Sequence, residues 1–452
     1  MLSLEHQASH EWLRELSAEG RQALLHILGC PECRQAAEES LLRPHLPPPP
    51  GGEQSYDLPF ARQQRNLLRL LDLVTAEERR GRELLEELIL VPGGERRKAI
   101  RRQPEFWRPE LARELLRKAE AELLSDPDES EELAALATAV AARLPAADPL
   151  GQAQAARVLA GCLAGEARRR RGDPGAALAA YEEIASQLDG ALDHDLRATW
   201  CAGLAKVRWE ERRDDEAAAL LGRAANIYAA NGQTHAEGLC RALTGFLCLE
   251  LCDPTAAFVP LDSAHRLLEP AVAPALAART ALALAYCHAA TGCDESWRNQ
   301  AAALLAEARQ LGSAVTMNGE RTGWKWWEAR VAARLGDRDR ALAKLETVRQ
   351  CLLARGSVRE AALATLDLAV LRASCGRREG LAELGHDLYH AFPESAPLRH
   401  AGSFAVLERL SLDDFPAGVE MLRRDLLGSR RAGRGRRDLI THVRDLAVLP
   451  AA

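Results

Sequence analysis

From Leu58 onward, apolar residues recur three and four positions apart, the spacing that places them on one face of a helix. Leu84, Leu85, Leu88 and Ile89 form one such set, Leu111, Leu115 and Leu116 a second, and Leu133, Leu136 and Val140 a third. Helix starts fall between them. Thr75-Ala-Glu-Glu78 has the form of a capping box and predicts that a helix begins there. Pro109 suits a first helical turn, where its missing N–H costs nothing. Asp126-Pro-Asp-Glu-Ser breaks the chain before the third set. The pattern predicts an all-α chain.

Beyond residue 150 the pattern becomes periodic. Short breakers precede helical starts at Gly172-Asp-Pro-Gly-Ala-Ala, Arg213-Asp-Asp-Glu-Ala-Ala, Cys252-Asp-Pro-Thr-Ala-Ala, Gly292-Cys-Asp-Glu-Ser, Gly336-Asp-Arg-Asp-Arg-Ala and Gly376-Arg-Arg-Glu-Gly-Leu. Their first residues are 41, 39, 40, 44 and 40 positions apart. Each break divides two apolar segments of helical length. One Ala/Leu helix pair cannot bury its own face, whereas stacked pairs bury a continuous seam. The expected architecture is an α-solenoid.

These segments resemble tetratricopeptide repeats. Gly165, Gly172, Asp173, Ala177 and Tyr181 follow that family's pattern well. Gly336, Asp337 and Ala341 follow it in part, with Leu345 where the family places an aromatic. The resemblance covers roughly residues 150–395, and the rhythm extends back to about residue 61. It implies a scaffold or adaptor for protein partners.

Composition narrows the reading. Hydrophobic residues make up 47% of the 452, enough for a real core, but aromatics only 4%. The apolar mass is Ala and Leu, which favours helix over a large sheet. The net charge of −6 excludes a generally basic nucleic-acid binder. The longest run without Asp, Glu, Lys or Arg, Thr280–Cys293, is too short to span a bilayer. The N-terminus lacks a basic segment followed by an apolar run, so no signal peptide is expected. A soluble, cytoplasmic protein is the expectation.

Arg43–Tyr56 reads RPHLPPPPGGEQSY, which cannot continue a helix. It sets apart a small N-terminal unit, free to move or to dock only weakly. The expected divisions are a zinc-binding domain at 1–43, a Pro/Gly-rich linker at 44–60, and a helical start of the solenoid at 61–150. Tetratricopeptide-like repeats at 151–398 and terminal helices with an Arg-rich tail at 399–452 complete the chain.

The N-terminal unit carries the strongest chemical motif. His26 lies near a helix end, Gly29 allows a turn, and Cys30-Pro-Glu-Cys33 opens a second helix. Two thiolates and an imidazole at this spacing converge on one ion, and zinc prefers such soft ligands in a closed tetrahedron. His10 is the best candidate for a fourth ligand and His6 the second. About 40 residues bury too little apolar surface to fold alone, and structural zinc contributes about 10–16 kcal/mol of apparent folding free energy. A metal-free copy held by neighbouring helices, or a redox pair of Cys30 and Cys33, are the alternatives.

The arrangement resembles the zinc-binding domain of bacterial anti-sigma factors, whose core motif is His-x3-Cys-x2-Cys. His26, Cys30 and Cys33 match it residue for residue, and His10 matches the upstream ligand by position. Leu16-Ser-Ala-Glu19 is similar to the start of that family's middle helix. The resemblance covers residues 6–40. It implies regulation of transcription through a sigma factor or another signalling partner, although no membrane segment of the kind many anti-sigma factors carry is found.

Other signals are weaker. Arg423–Arg437 holds seven Arg against one Asp but no aromatics for base stacking, so a solvated tail is expected and nucleic-acid contact is not the leading reading. Arg168–Arg171, at the end of a repeat helix, is expected to be mainly solvated. His386 and His390 share a helix face without a metal motif around them. Trp324 and Trp327 share a face and are expected to pack between repeats, with a peptide-anchoring role as the alternative. Nine cysteines outside the N-terminal motif read as free thiols, mostly buried. No P-loop, strand-linked GxGxxG or GxSxG is found, so no enzyme activity is expected.

Overall fold

The computed structural model describes residues 34–37, 39, 57–144, 152–188, 194–251, 253–292, 294–312, 320–377, 380, 381, 383 and 384. All regular structure among them is helical. The chain divides into two compact units between Ala167 and Arg168.

The first unit contains α1 (Asp57–Leu90), α2 (Gly93–Arg102), a 3-10 turn (Pro104–Phe106), α3 (Pro109–Glu122), α4 (Pro127–Ala141) and most of α5 (Gln152–Arg170). Pro109 and Pro127 both open their helices, and the Asp126 carboxylate caps α4 by accepting from the N–H groups of Asp128 and Glu129, each at 3.1 Å. Leu84, Leu88, Ile100, Leu111, Leu115, Leu133 and Val140 form the fully buried core. α1 and α3 approach closely at Gly81, where a Cβ would lie 2.8 Å from the Cβ of Glu110.

One start signal is overruled. Thr75 lies inside α1, and its hydroxyl donates to the Leu71 carbonyl at 3.0 Å instead of capping. A threonine hydroxyl is satisfied equally well by the preceding turn, and Leu71 and Leu84, fully buried on either side of Thr75, keep the helix running through it. Arg34 adds a contact the linker had not suggested. It is buried and pairs with Glu78 of α1 at 2.8 Å.

The second unit continues with α6 (Pro174–Leu188), α7 (His194–Glu210), α8 (Asp214–Ala230), α9 (Thr234–Glu250), α10 (Pro254–Leu267), α11 (Pro274–Thr291), α12 (Glu295–Gly312), α13 (Glu320–Leu335), α14 (Arg338–Ala354) and α15 (Val358–Ser374). All six anticipated breaks fall between or after helices. Successive helices pack as antiparallel pairs, α7 on α8, α9 on α10, α11 on α12 and α13 on α14. First helices of successive pairs also touch, α11 against α13 and α13 against α15.

The turns share one design. Gly172, Gly232, Gly336, Gly356 and Gly376 have φ between 68° and 91°, so each ends its helix in the left-handed region. The next residue donates back to the carbonyl five residues earlier, as Asp173 does to Arg168 at 3.1 Å and Asp337 to Ala332 at 3.0 Å. Where a helix follows, that residue also precedes its first turn, so one short turn closes one helix and opens another.

Small residues set the pair spacing. Ala177, Ala217, Ala257, Ala301 and Ala341 are all fully buried early in second helices. Ala205, Gly245, Ala285, Ala329 and Ala369 take the corresponding place in first helices. At Gly245 a Cβ would lie 2.4 Å from Cγ of Leu261. Spacing in both columns is 40 residues except for one step of 44, from Ala257 to Ala301 and from Ala285 to Ala329. The four extra residues therefore lie between Ala285 and Ala301, at the junction of α11 and α12. Gly292, at that junction, has an extended backbone (φ −76°, ψ 142°) in place of the left-handed turn.

Candidate functional site

Because neighbouring first helices lie side by side, residues about one repeat apart meet. Polar contacts join residues 41 positions apart. Arg169 pairs with Glu210, Trp209 Nε1 donates to Glu250 Oε2 at 2.5 Å, and Trp326 Nε1 donates to Asp367 Oδ2 at 2.7 Å. The Glu250 side chain is fully buried and also accepts from Arg212 Nη1 at 2.9 Å. A buried carboxylate without such partners would carry a large desolvation cost. Arg212 occupies the left-handed turn position with φ 64°, the one described non-glycine residue to do so. Its guanidinium contact with Glu250 offsets backbone strain of about 1 kcal/mol.

The arginine run is a correction to its expected solvation. Arg169 and Arg170 are buried, while Arg171 is exposed. Arg169 is held by Glu210, a residue too distant in sequence to be read from the run itself.

A second group spans α11, α13 and α15. Trp324 and Trp327 pack against Ala281, Leu282, Ala285, Leu305 and Ala308 of the preceding pair, as expected. Trp327 meets Tyr286 edge-on, with ring centroids 5.3 Å apart. The Arg330 guanidinium lies 4.9 Å from both ring centroids and 3.4 Å from Asp367. A cation held by two ring faces and a carboxylate is fixed in place while keeping some N–H donors for another group. Beside it, Glu328 accepts from Arg309 at 2.5 Å and from Lys344. Burial alone would raise the Glu328 carboxyl, but these two cations outweigh it and hold it below the ordinary carboxylate value.

The inserted residues build an aromatic cluster. Trp297 covers Gly292 so closely that a Cβ there would lie 2.3 Å from the tryptophan's own Cβ. His288 sits 4.9 Å from the Trp297 ring and 5.0 Å from that of Phe258. Its Nδ1 is buried without a hydrogen-bond partner. Burial lowers the imidazole below its ordinary value, against a weaker opposing pull from Asp262.

His6, His10, His26, Cys30 and Cys33 lie outside the described residues, as do His386, His390 and Arg423–Arg437. Among the described residues no group of three or more His, Cys, Asp or Glu is placed to hold a metal ion, and no helix is long and apolar enough to cross a membrane. Cys162, Cys201, Cys240 and Cys287 are buried, whereas Cys248, Cys351 and Cys375 are half-buried. Burial pushes the thiols of Cys240 and Cys287 up to about 12, which suppresses the reactive thiolate. Tyr286, Arg330 and Asp367 were missed in the sequence. Aligning the repeats brings out Trp326 with Asp367, since that pair spans one period plus one residue.

No protein-family model matches the chain, and no curated protein matches its sequence. Among solved structures, the chain is similar in fold to a Rap protein complexed with Competence and Sporulation Factor. That likeness has a TM-score of 0.51 at 10% identity and covers 71% of this chain and 88% of the other. The apo form of RapI is also similar, with a TM-score of 0.45 at 13% identity over 78% of this chain and 97% of that one. At these identities the first likeness speaks to fold alone: a tetratricopeptide-like array of helix pairs.

Proposed function

We propose that this chain is a cytoplasmic interaction adaptor or regulator that works by binding a protein partner and not by catalysis. The observation that carries this reading is the alignment of Tyr286, Arg330 and Asp367, which belong to three successive first helices, with Arg330 contacting both of the others. Stacked helix pairs offer such rows to extended partners. The Rap protein of similar fold was solved with a bound factor, which supports the same kind of role here. Affinity capture with the intact chain tests it. A specific co-purifying protein, lost when Tyr286 and Trp327 are both replaced by Ala, is the expected result. Equal recovery of all proteins by the chain and the variant would sink the reading.

In the same reading, His10, His26, Cys30 and Cys33 hold one zinc ion in an anti-sigma-like module, and the partner is a sigma factor or another signalling protein. The His-x3-Cys-x2-Cys spacing supports it. Buried Arg34, immediately after Cys33 in sequence, pairs with Glu78 of α1. Elemental analysis of reduced protein prepared with available zinc should find one equivalent. Less than about a tenth of an equivalent would remove the metal from the proposal.

A further inference from the structure

We infer that the face formed by α11, α13 and α15 takes an acidic segment of a partner protein, one in which a carboxylate adjoins an aromatic or aliphatic side chain. This rests on the adaptor reading and gives its site a chemistry. Helical spacing defines the face. Arg279 and Tyr286 lie seven residues apart on α11. Trp327, Arg330 and Arg334 follow one another at three- and four-residue steps on α13, and Leu363, Asp367, Val370 and Ser374 do so on α15. Arg330 stitches the three rows together through Tyr286, Trp327 and Asp367.

The charge of this face is opposite to that of the whole chain. The protein carries a net charge of −6, yet the rows hold Arg279, Arg330 and Arg334 against Asp367, with Glu360 at the N-terminal end of the α15 row. Asp367 already accepts from Trp326 and lies 3.4 Å from Arg330, so its charge is largely answered within the face. Arg334 is exposed. Tyr286, Trp327, Leu363 and Val370 are half-buried and offer apolar surface between the cations. An incoming carboxylate would pair with Arg330 and Arg334 while its apolar neighbour covers Trp327 or Val370. Arg330 is held by its two rings before a partner arrives, which lowers the ordering cost of binding.

Panning a phage-displayed library of random peptides on the immobilised full chain tests this. Enriched peptides should contain Asp or Glu next to an aromatic or aliphatic residue. A synthetic copy should bind about tenfold more weakly to Arg334→Glu and to Arg330→Gln, and should weaken with added salt. Replacing its acids by amides should abolish binding. Arg334 is exposed and takes no part in the buried contacts, so its reversal leaves the fold intact; Lys98→Glu, in the first unit, is the control for total charge. The inference is overturned if no peptide is enriched, if enriched peptides lack an acidic bias, or if Arg334→Glu binds as well as the unaltered chain. A cellular partner still captured by Arg334→Glu would remove this site and leave the adaptor reading standing. Failure to capture any partner would remove the adaptor reading itself.

Discussion

Between α7 and α9 the contact that bridges two repeats is sealed from water, whereas between α13 and α15 it borders an open face. Trp209 with Glu250 and Trp326 with Asp367 have the same chemistry and the same spacing, an indole N–H donating to a carboxylate 41 residues later. The difference lies in the carboxylates: the Glu250 side chain is 0% exposed, with its partner Arg212 at the rim at 26%, whereas Asp367 itself keeps 11%, beside Arg330 at 20%. One periodic geometry therefore serves as an internal strut in one place and as the floor of a candidate binding face in the other. Sealing a charge makes its partners indispensable to folding; leaving its rim open leaves donors for something else.

The contrast is tested most severely by removing both carboxylates. Glu250→Ala removes the buried carboxylate to which both Arg212 and the Trp209 indole donate and should cost about 3–5 kcal/mol. Asp367→Ala should cost about 1–2 kcal/mol, because water reaches its surroundings. Urea unfolding measures both, and equal losses would erase the distinction between strut and rim.

A smaller effect separates the two contributions of Arg212. Both Arg212→Ala and Arg212→Gly lose the contact with Glu250, but only glycine adopts φ 64° without strain. The glycine variant should be the more stable of the two by about 1 kcal/mol. If alanine is equal or better, the left-handed turn there imposes no strain.

The smallest effect lies at the inserted turn between the two regions. Burial lowers the His288 pKa below 6.5, so the unfolded chain binds this proton more readily than the folded one. The stability gained from the neutral imidazole is complete above pH 6.5 and falls as acid reaches the lowered value. His288→Gln should flatten the decline in melting temperature as the pH falls below 6.5. His235, lowered in the same way by burial, retains part of the slope. An unchanged decline in the variant would mean that His288 is not a source of it.

The helix pairs could be read in the sequence because their causes are local. The breaks near Gly172, Gly336 and Gly376 mark positions that need a left-handed residue, and the intervening Ala and Leu spacing marks a buried face. Thr75 misled for the converse reason: a hydroxyl with a following acid has the form of a cap, but the choice between capping and bonding to Leu71 depends on what the preceding turn packs against. The same limit hid the left-handed conformation at Arg212. An arginine gives no local sign of a left-handed conformation, and its acceptor Glu250 lies 38 residues away.

The sequence by itself determined that the chain forms helix pairs at a spacing of about 40 residues, and it singled out Trp324 and Trp327 as packing residues between them. It also carries the zinc proposal, which rests on the spacing of His26, Cys30 and Cys33. Only the tertiary structure decided that Arg169 is buried, that Glu250 is a strut, and that Arg330 is clasped by Tyr286 and Asp367. Helix periodicity is set by backbone geometry within a few residues, so composition can encode it directly. The environment of a charge is set by side chains arriving from other repeats, and the same arginine is solvated, buried or stacked according to which of them it meets.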